Sequence, residues 1–279
     1  MTILELSILL LITAYIAGLV GSLTGLGGGM IVIPVLVLLF NIDIHYAMGA
    51  SLISVIATSS GSSAAYLREG YTNLKVGMFL EVGAVLGAIV GAYLTAYLSV
   101  HVISIVFGIV MLFSAFFSLA RKNEVSFDQP SHPWAVKLGL EGSYPSSRGI
   151  QAYKVQRVPL ALGLMTTAGS LSGLLGIGSG AVKVLAMDLA MRLPYKVSTT
   201  TSNFLIGITA ATSVGIYYKH GYIDPAITFP VLLGVLAGAL TGARILSNTR
   251  SKNLRIIFSF VIAILAAEMM YKGLVGGGF

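Results

Sequence analysis

The chain of 279 residues is 56% hydrophobic and only 10% charged, with a mean hydropathy of +0.91. A soluble domain carries roughly a quarter charged residues, so the composition excludes a soluble protein and predicts a polytopic membrane protein. The net charge of +7 is dispersed, which argues against nucleic-acid binding and suits the basic loops of a membrane protein. Cysteine is absent from the sequence, which excludes disulfides and thiolate metal sites.

Eight apolar segments follow one another along the chain, and most are near the membrane-spanning length of about 20 residues. Short polar turns separate them, except at 121–157, which is rich in Pro, Ser and Gly and is predicted to be a flexible cytoplasmic linker. The apolar segments cover 4–40, 46–67, 76–98, 102–120, 158–190, 197–218, 225–243 and 255–271.

The parts of the chain on either side of this linker, 1–120 and 158–279, are predicted to be two copies of one repeat. They align without a gap at an offset of 151 residues. The matched positions include Gly25, Gly27, Gly29, Ser51, Thr58, Ser62 and Tyr66 with Gly176, Gly178, Gly180, Ser202, Thr209, Ser213 and Tyr217. A repeat of this length indicates two domain-sized halves rather than a solenoid.

Each half begins with a segment that is too long for one ordinary span and is interrupted by glycines, at Gly25–Gly29 and at Gly176–Gly180. Each glycine weakens a helix interior by about 1 kcal/mol relative to alanine, so both helices are expected to break. If every segment crosses once, the chain has eight spans and a parallel repeat. If the broken segment is a re-entrant hairpin, three full crossings remain in each half and the second half is inverted.

The distribution of basic residues favours the inverted arrangement, because cytoplasmic loops carry an excess of Lys and Arg. The hairpin topology places 14 of the 17 basic residues in cytoplasmic loops and 2 outside, whereas the eight-span topology divides them 10 to 6. The predicted fold is therefore an all-α polytopic membrane protein with two inverted-topology repeats. Each repeat is a glycine-broken re-entrant hairpin plus three transmembrane helices, and both termini lie outside.

Broken helices in inverted repeats are typical of transporters, in which substrate binds near the midplane where helix ends expose backbone groups. A helix that begins after each glycine break would direct N–H groups and a positive dipole end into the site, which suits an anion. Lys183 strengthens this hypothesis, because a charge at bilayer depth is a functional candidate by default. The alternative is that Lys183 snorkels or pairs with Asp188.

Small polar residues on the second segment of each half are predicted to line the same site. Their hydroxyl and amide groups can donate to oxyanions, although serine and threonine also serve close helix packing. The predicted substrate-binding residues are Gly27, Gly28, Gly29, Ser51, Gly178, Ser179, Gly180, Lys183, Thr201, Ser202 and Asn203. The glycine series Gly83, Gly87, Gly91 and Gly234, Gly238, Gly242 has small-xxx-small spacing and is predicted to be a packing face.

No catalytic constellation and no metal or cofactor motif is present in the sequence, so an enzyme is not expected. The four histidines are scattered in loops, and the glycine clusters lie inside apolar segments rather than after a strand, unlike a dinucleotide fingerprint. Glu81 and Glu268 are two further acids within apolar segments. Either could carry a coupling proton, but we expect each near a span end, facing water.

Two motifs stand out, Gly18–Pro34, which reads GLVGSLTGLGGGMIVIP, and Ala47–Leu52, with degenerate copies at Gly169–Leu185 and Ser198–Asn203. In these motifs the sequence resembles the sulfite exporter TauE/SafE family. The resemblance implies a transporter of the cytoplasmic membrane that exports sulfite or organosulfonates. The second copy has Ser179 in place of a glycine and Leu185 in place of Pro34, which leaves the substrate open.

The leading hypothesis is a secondary transporter that exports a small sulfur-containing anion such as sulfite or sulfoacetate. Its partners are then the anion and the lipid bilayer, and a homo-oligomer is left open. The alternatives are transport of another small organic or inorganic anion, uptake rather than export, and a membrane assembly or scaffold protein without flux.

Overall fold

Eleven helices and one β-hairpin form the parts of the chain that the computed structural model describes, residues 3–24, 28–68, 70–120, 130–146, 149–246 and 251–275. The first half contains α1 (Ile3–Thr24), α2 (Gly29–Leu39), α3 (Ile44–Arg68), α4 (Leu74–Thr95) and α5 (Val100–Ala120). The second contains α7 (Val158–Leu175), α8 (Gly180–Leu185), a π-helical turn (Ala186–Ala190), α9 (Tyr195–Lys219), α10 (Pro225–Leu246) and α11 (Ser251–Val275).

Five of the described helices, α1, α4, α5, α7 and α10, are long and apolar enough to cross a membrane. Helices α3 and α9 have 25 residues each, a length of about 37 Å at 1.5 Å per residue, but they are rich in serine and threonine. The chain therefore forms a mostly helical polytopic membrane protein, with its more polar long helices, α3 and α9, packed against each other.

Glycines let helices from different halves approach closely, and α1 packs chiefly on α10 while α7 packs on α4. A Cβ added at Gly87 would lie 2.0 Å from Thr166 O, and one at Gly91 would lie 2.0 Å from Ser170 O. The predicted packing role of the Gly83 and Gly234 series is thus confirmed at each position whose surroundings are described. The step from Gly87 to Gly91 along α4 corresponds to the step from Thr166 to Ser170 along α7, so these two helices run parallel.

Equivalent helices of the two halves run antiparallel. Ser59 of α3 bonds Asn203 O of α9 at 2.5 Å, whereas Met48, earlier in α3, lies 3.9 Å from the hydroxyl of Tyr217, later in α9. Helices α5 and α11 show the same reversal, since Gly108 lies against Met270 and Gly273 lies against His101.

One end of the molecule gathers the turn before α4, the linker and the turn before α9. Lys196 Nζ lies 5.1 Å from the ring centroid of Tyr71, and Gln156 N donates to Met191 O at 3.2 Å. The opposite end gathers the turns after α2 and after α9, where the ring centroids of His45 and Tyr222 lie 4.6 Å apart with the rings tilted by 32°.

The linker is ordered over its described part, which corrects the prediction of a flexible segment and of an all-helical chain. It contains α6 (Pro133–Lys137) and an antiparallel hairpin of β1 (Gly142–Ser146) and β2 (Gly149–Tyr153), while 121–129 lies outside the described residues. Asn73 anchors it, because its side chain donates to Leu140 O at 2.9 Å and to the Tyr153 hydroxyl at 2.7 Å. Burial raises the pKa of Tyr153, which keeps this hydroxyl protonated.

Candidate functional site

The two glycine breaks meet between α3 and α9. A Cβ added at Gly29 would lie 2.5 Å from Ser51 Oγ and 3.4 Å from Ile177 Cα, so side chains are excluded where the breaks touch. Gly178 adopts a φ of 70°, and a Cβ there would lie 2.5 Å from Ile206 Cγ2. Ile206 is near the middle of α9, so the breaks meet midway along the helices. Gly27 lies outside the described residues.

Three predicted serines hold the chain at the breaks by donating to backbone carbonyls. Ser51 Oγ donates to Gly176 O at 2.8 Å, Ser179 Oγ donates to Ala168 O at 2.6 Å, and Ser202 Oγ donates to Gly180 O at 3.1 Å. All three serines are fully buried. Because each hydroxyl proton is already donated, these serines fix the shape of the breaks in this conformation rather than offer a free donor.

Thr201 and Asn203 extend the polar face of α9 away from the meeting point. Thr201 Oγ1 accepts from Asn73 N at 3.0 Å, which connects the face to the residue that anchors the linker. The backbone carbonyl of Asn203 accepts from Ser59, whereas its side-chain amide, only 7% exposed, makes no hydrogen bond within the described residues. Among the predicted residues, the Asn203 amide and the Thr201 hydroxyl are therefore side-chain donors without an acceptor in the described part of the chain.

Lys183 is fully buried and forms an ion pair with Glu81 of α4. Its Nζ lies 3.2 Å from Glu81 Oε2 and 3.2 Å from Leu205 O, and it also donates to Thr209 Oγ1. Thr209 in turn donates to the other oxygen of Glu81. The three protons of the ammonium thus have three acceptors, and both carboxylate oxygens have a donor.

This arrangement corrects two expectations from the sequence. Glu81 does not face water at a span end but is 3% exposed, and Lys183 neither snorkels nor pairs with Asp188. The partners lie 102 residues apart, so local patterning could not join them. The usable signal was the repeat itself, because the positions equivalent to Lys183 and Glu81 are Val32 and Leu232. Each charged residue stands where the other half has an apolar residue. Two such residues of opposite charge are candidates for one buried ion pair.

Ser179 adopts a left-handed backbone conformation, with φ 43°, directly before α8. This conformation costs a residue with a Cβ about 1–2 kcal/mol, and the equivalent position in the first half is Gly28. We expect Ser179→Ala to lose the hydrogen bond to Ala168, worth about 1 kcal/mol, and to keep the backbone cost. Ser179→Gly loses the same bond but relieves the backbone, so it should be the more stable variant by about 1–2 kcal/mol.

Thermal unfolding of both variants in detergent measures this difference. Equal melting temperatures for the alanine and glycine variants would show that the backbone at this position is not strained.

The fold and the site together define a class of multi-pass membrane protein. Two glycine-broken arms meet among its long helices, and transporters share this arrangement. The model of the family described as "Sulfite exporter TauE/SafE" matches residues 10–269. The chain belongs to this family, which is a family of transporters and not of enzymes.

Similar proteins come from bacteria and archaea. "Probable membrane transporter protein YunE" of Bacillus subtilis (strain 168) is 27% identical over 274 residues, which cover 96% of this chain and 98% of that protein. "Probable membrane transporter protein MJ0441" of Methanocaldococcus jannaschii is 25% identical over 278 residues, covering 94% of each chain. No solved structure matches the chain significantly.

Proposed function

We propose that this protein is a secondary transporter that exports a small sulfur-containing anion, sulfite or an organosulfonate such as sulfoacetate, across the cytoplasmic membrane. The observation that carries the proposal is the meeting of Gly29 and Ile177, one from each broken arm, between α3 and α9. Non-helical backbone at membrane depth is tolerated only where protein buries it or where it lines a cavity. Two such breaks in contact form a natural substrate site.

The proposed anion site uses neutral donors around this contact. Helix α2 begins at Gly29, so its first N–H groups and its positive dipole end face the break. The hydroxyls of Ser51 and Ser202 border the same region. Movement of one arm away from α3 and α9 would release these hydroxyls from their carbonyl acceptors and allow them to donate to an oxyanion.

We further propose that the halves are inverted-topology repeats, each with a re-entrant hairpin and three crossings. The antiparallel course of α3 and α9, and of α5 and α11, supports this arrangement, because a parallel repeat would give equivalent helices the same direction. The gathering of Tyr71, the linker and Lys196 at one end also supports it.

Single cysteines provide a topology test, since the chain has none of its own. Lys137, Lys196 and Lys219 are exposed and suit substitution. With a membrane-impermeant maleimide on intact cells, we expect Lys219→Cys to react, and Lys137→Cys and Lys196→Cys to react only after permeabilisation. Opposite behaviour of the variants at 137 and 196 would refute the inverted arrangement.

Transport itself is tested by counterflow in proteoliposomes loaded with unlabelled sulfite or sulfoacetate. Labelled anion outside should accumulate transiently in vesicles that contain the protein and not in empty vesicles. Competition by sulfate, acetate and chloride ranks the substrate class. Flux of acetate without flux of either sulfur anion would move the assignment to another organic acid. Absence of flux for all these anions would favour the assembly or scaffold role.

The glycine contact supplies a matched pair of variants for the same assay. Gly29→Ala places a methyl group 2.5 Å from Ser51 Oγ, whereas Gly163→Ala on α7 meets no described atom within 4 Å. We expect the first to abolish counterflow and the second to retain it.

A further inference from the structure

The ion pair of Glu81 and Lys183 has a position that packing alone does not explain. Lys183 lies three residues after Gly180, on the arm that returns from the second break, and it bridges this arm to α4 and α9. Glu81 is held from both sides, by the ammonium and by the hydroxyl of Thr209. The pair therefore connects the arm that borders the proposed site to two membrane helices.

Among the described residues, Glu81 and Lys183 are each other's only charged neighbours. The neighbouring elements carry other titratable groups only away from the pair. These are Lys75 and Tyr93 on α4, Asp188 on the π-helical turn, Tyr195, Lys196, Tyr217, Tyr218 and Lys219 on α9, and His101 on α5, while α7 has none.

The positions equivalent to the two charged residues are apolar. The equivalents of Lys183 and Glu81 are Val32 and Leu232, and Thr209 corresponds to Thr58. The hydroxyl of Thr58 donates back to its own helix, to Val55 O at 3.0 Å. The charged cluster of Glu81, Lys183 and Thr209 is thus drawn from both halves, and the equivalent positions Leu232, Val32 and Thr58 carry no charge. A charged pair that the equivalent positions lack is not required by the repeated scaffold.

We propose that Glu81 is the proton-coupling group of this transporter, and that its protonation releases Lys183 to bind the transported anion. This inference rests on the proposed anion transport.

The electrostatics give the reason. An anion that approaches Lys183 while Glu81 is ionised puts two negative charges beside one ammonium, in surroundings where repulsion is poorly screened. A proton taken up on a Glu81 oxygen removes one of these charges and breaks the ion pair. The anion then replaces the carboxylate beside the ammonium. The net charge of the cluster is unchanged for a monovalent anion and becomes −1 for a dianion such as sulfoacetate, against −2 if Glu81 stayed ionised. Anion affinity and proton affinity are therefore linked, each raising the other.

Counterflow in proteoliposomes at a series of pH values tests the linkage, with labelled sulfoacetate as the probe because its acidic groups do not titrate near neutrality. With one proton per anion, the apparent affinity of the wild-type protein should fall by about tenfold per pH unit above the titration of Glu81. An imposed pH gradient should also drive accumulation. Glu81→Gln should lose the gradient-driven accumulation, and the counterflow that it supports should show an affinity that does not change with pH.

The two threonines give a second, matched measurement that does not depend on how Glu81→Gln folds. Thr209→Val removes a donor to the ionised carboxylate, so Glu81 takes up its proton more readily and the pH profile should move to higher pH. Thr58→Val, at the equivalent position, should leave the profile in place.

The outcomes separate the two proposals. Wild-type counterflow with an affinity that does not depend on pH, or identical profiles for wild type and Thr209→Val, would overturn the coupling and leave transport standing. No counterflow of either sulfoacetate or sulfite by the wild-type protein would overturn the transport proposal and the coupling with it.

Discussion

Lys183→Met is expected to destabilise the folded protein by about 3–5 kcal/mol, because it leaves the Glu81 carboxylate buried without its cation. Methionine has a similar length, so the cost comes from the lost charge rather than from a cavity. Thermal unfolding in detergent, followed by intrinsic tyrosine and tryptophan fluorescence, should show a clearly lower melting temperature.

The double variant Lys183→Met with Glu81→Gln should recover most of this loss, since no uncompensated charge remains. Lys219→Met serves as the control, because Lys219 is exposed at the end of α9 and surface substitutions usually change stability by less than about 0.5 kcal/mol. A double variant as unstable as the sum of the two single variants would show that the residues do not interact.

Gly87→Ala is expected to disrupt the packing of α4 on α7. The new methyl group would lie 2.0 Å from Thr166 O and 2.8 Å from Ser170 N, both backbone atoms that cannot turn aside. The helices must therefore separate, which costs about 1–3 kcal/mol or more in a well-packed core. Size-exclusion chromatography after heating should show loss of the monodisperse peak at a lower temperature than for the unmodified protein.

Gly163→Ala, on the partner helix α7, is expected to have the opposite effect on stability from Gly87→Ala. No described atom lies within 4 Å of a Cβ at this position, and alanine favours a helix by about 1 kcal/mol over glycine. We expect unchanged or increased stability. A similar loss of stability in both variants would show that the glycines act through backbone propensity and not through close contact.

Several features of the fold were predictable because they leave a periodic or compositional trace. The breaks follow from glycine clusters at Gly25–Gly29 and Gly176–Gly180, and the packing faces follow from glycines spaced four residues apart. The opposite directions of α3 and α9 agree with the distribution of basic residues. Each of these signals is local or is repeated along the chain.

Other features depend on contacts that no local pattern encodes. The hairpin of the linker has few apolar residues, and it is ordered through Asn73, which lies at the start of α4 and reaches Tyr153. The pairing of Glu81 with Lys183 joins residues from different halves. The structure places Ser51, Ser179 and Ser202 at the breaks, and their bonds to carbonyls depend on rotamers and backbone geometry that no sequence pattern specifies.

The first helix of each half packs on a helix of the other half, α1 on α10 and α7 on α4, and this has a consequence for biosynthesis. When the ribosome has made only the first half, α1 has no α10 to pack against, because that partner lies more than 200 residues further along the chain. The small-residue surface of α1, which includes Gly18, remains exposed to lipid until the segment with Gly234 and Gly238 has been inserted. Assembly is therefore completed late in synthesis, and neither half contains all the surfaces that its own helices need.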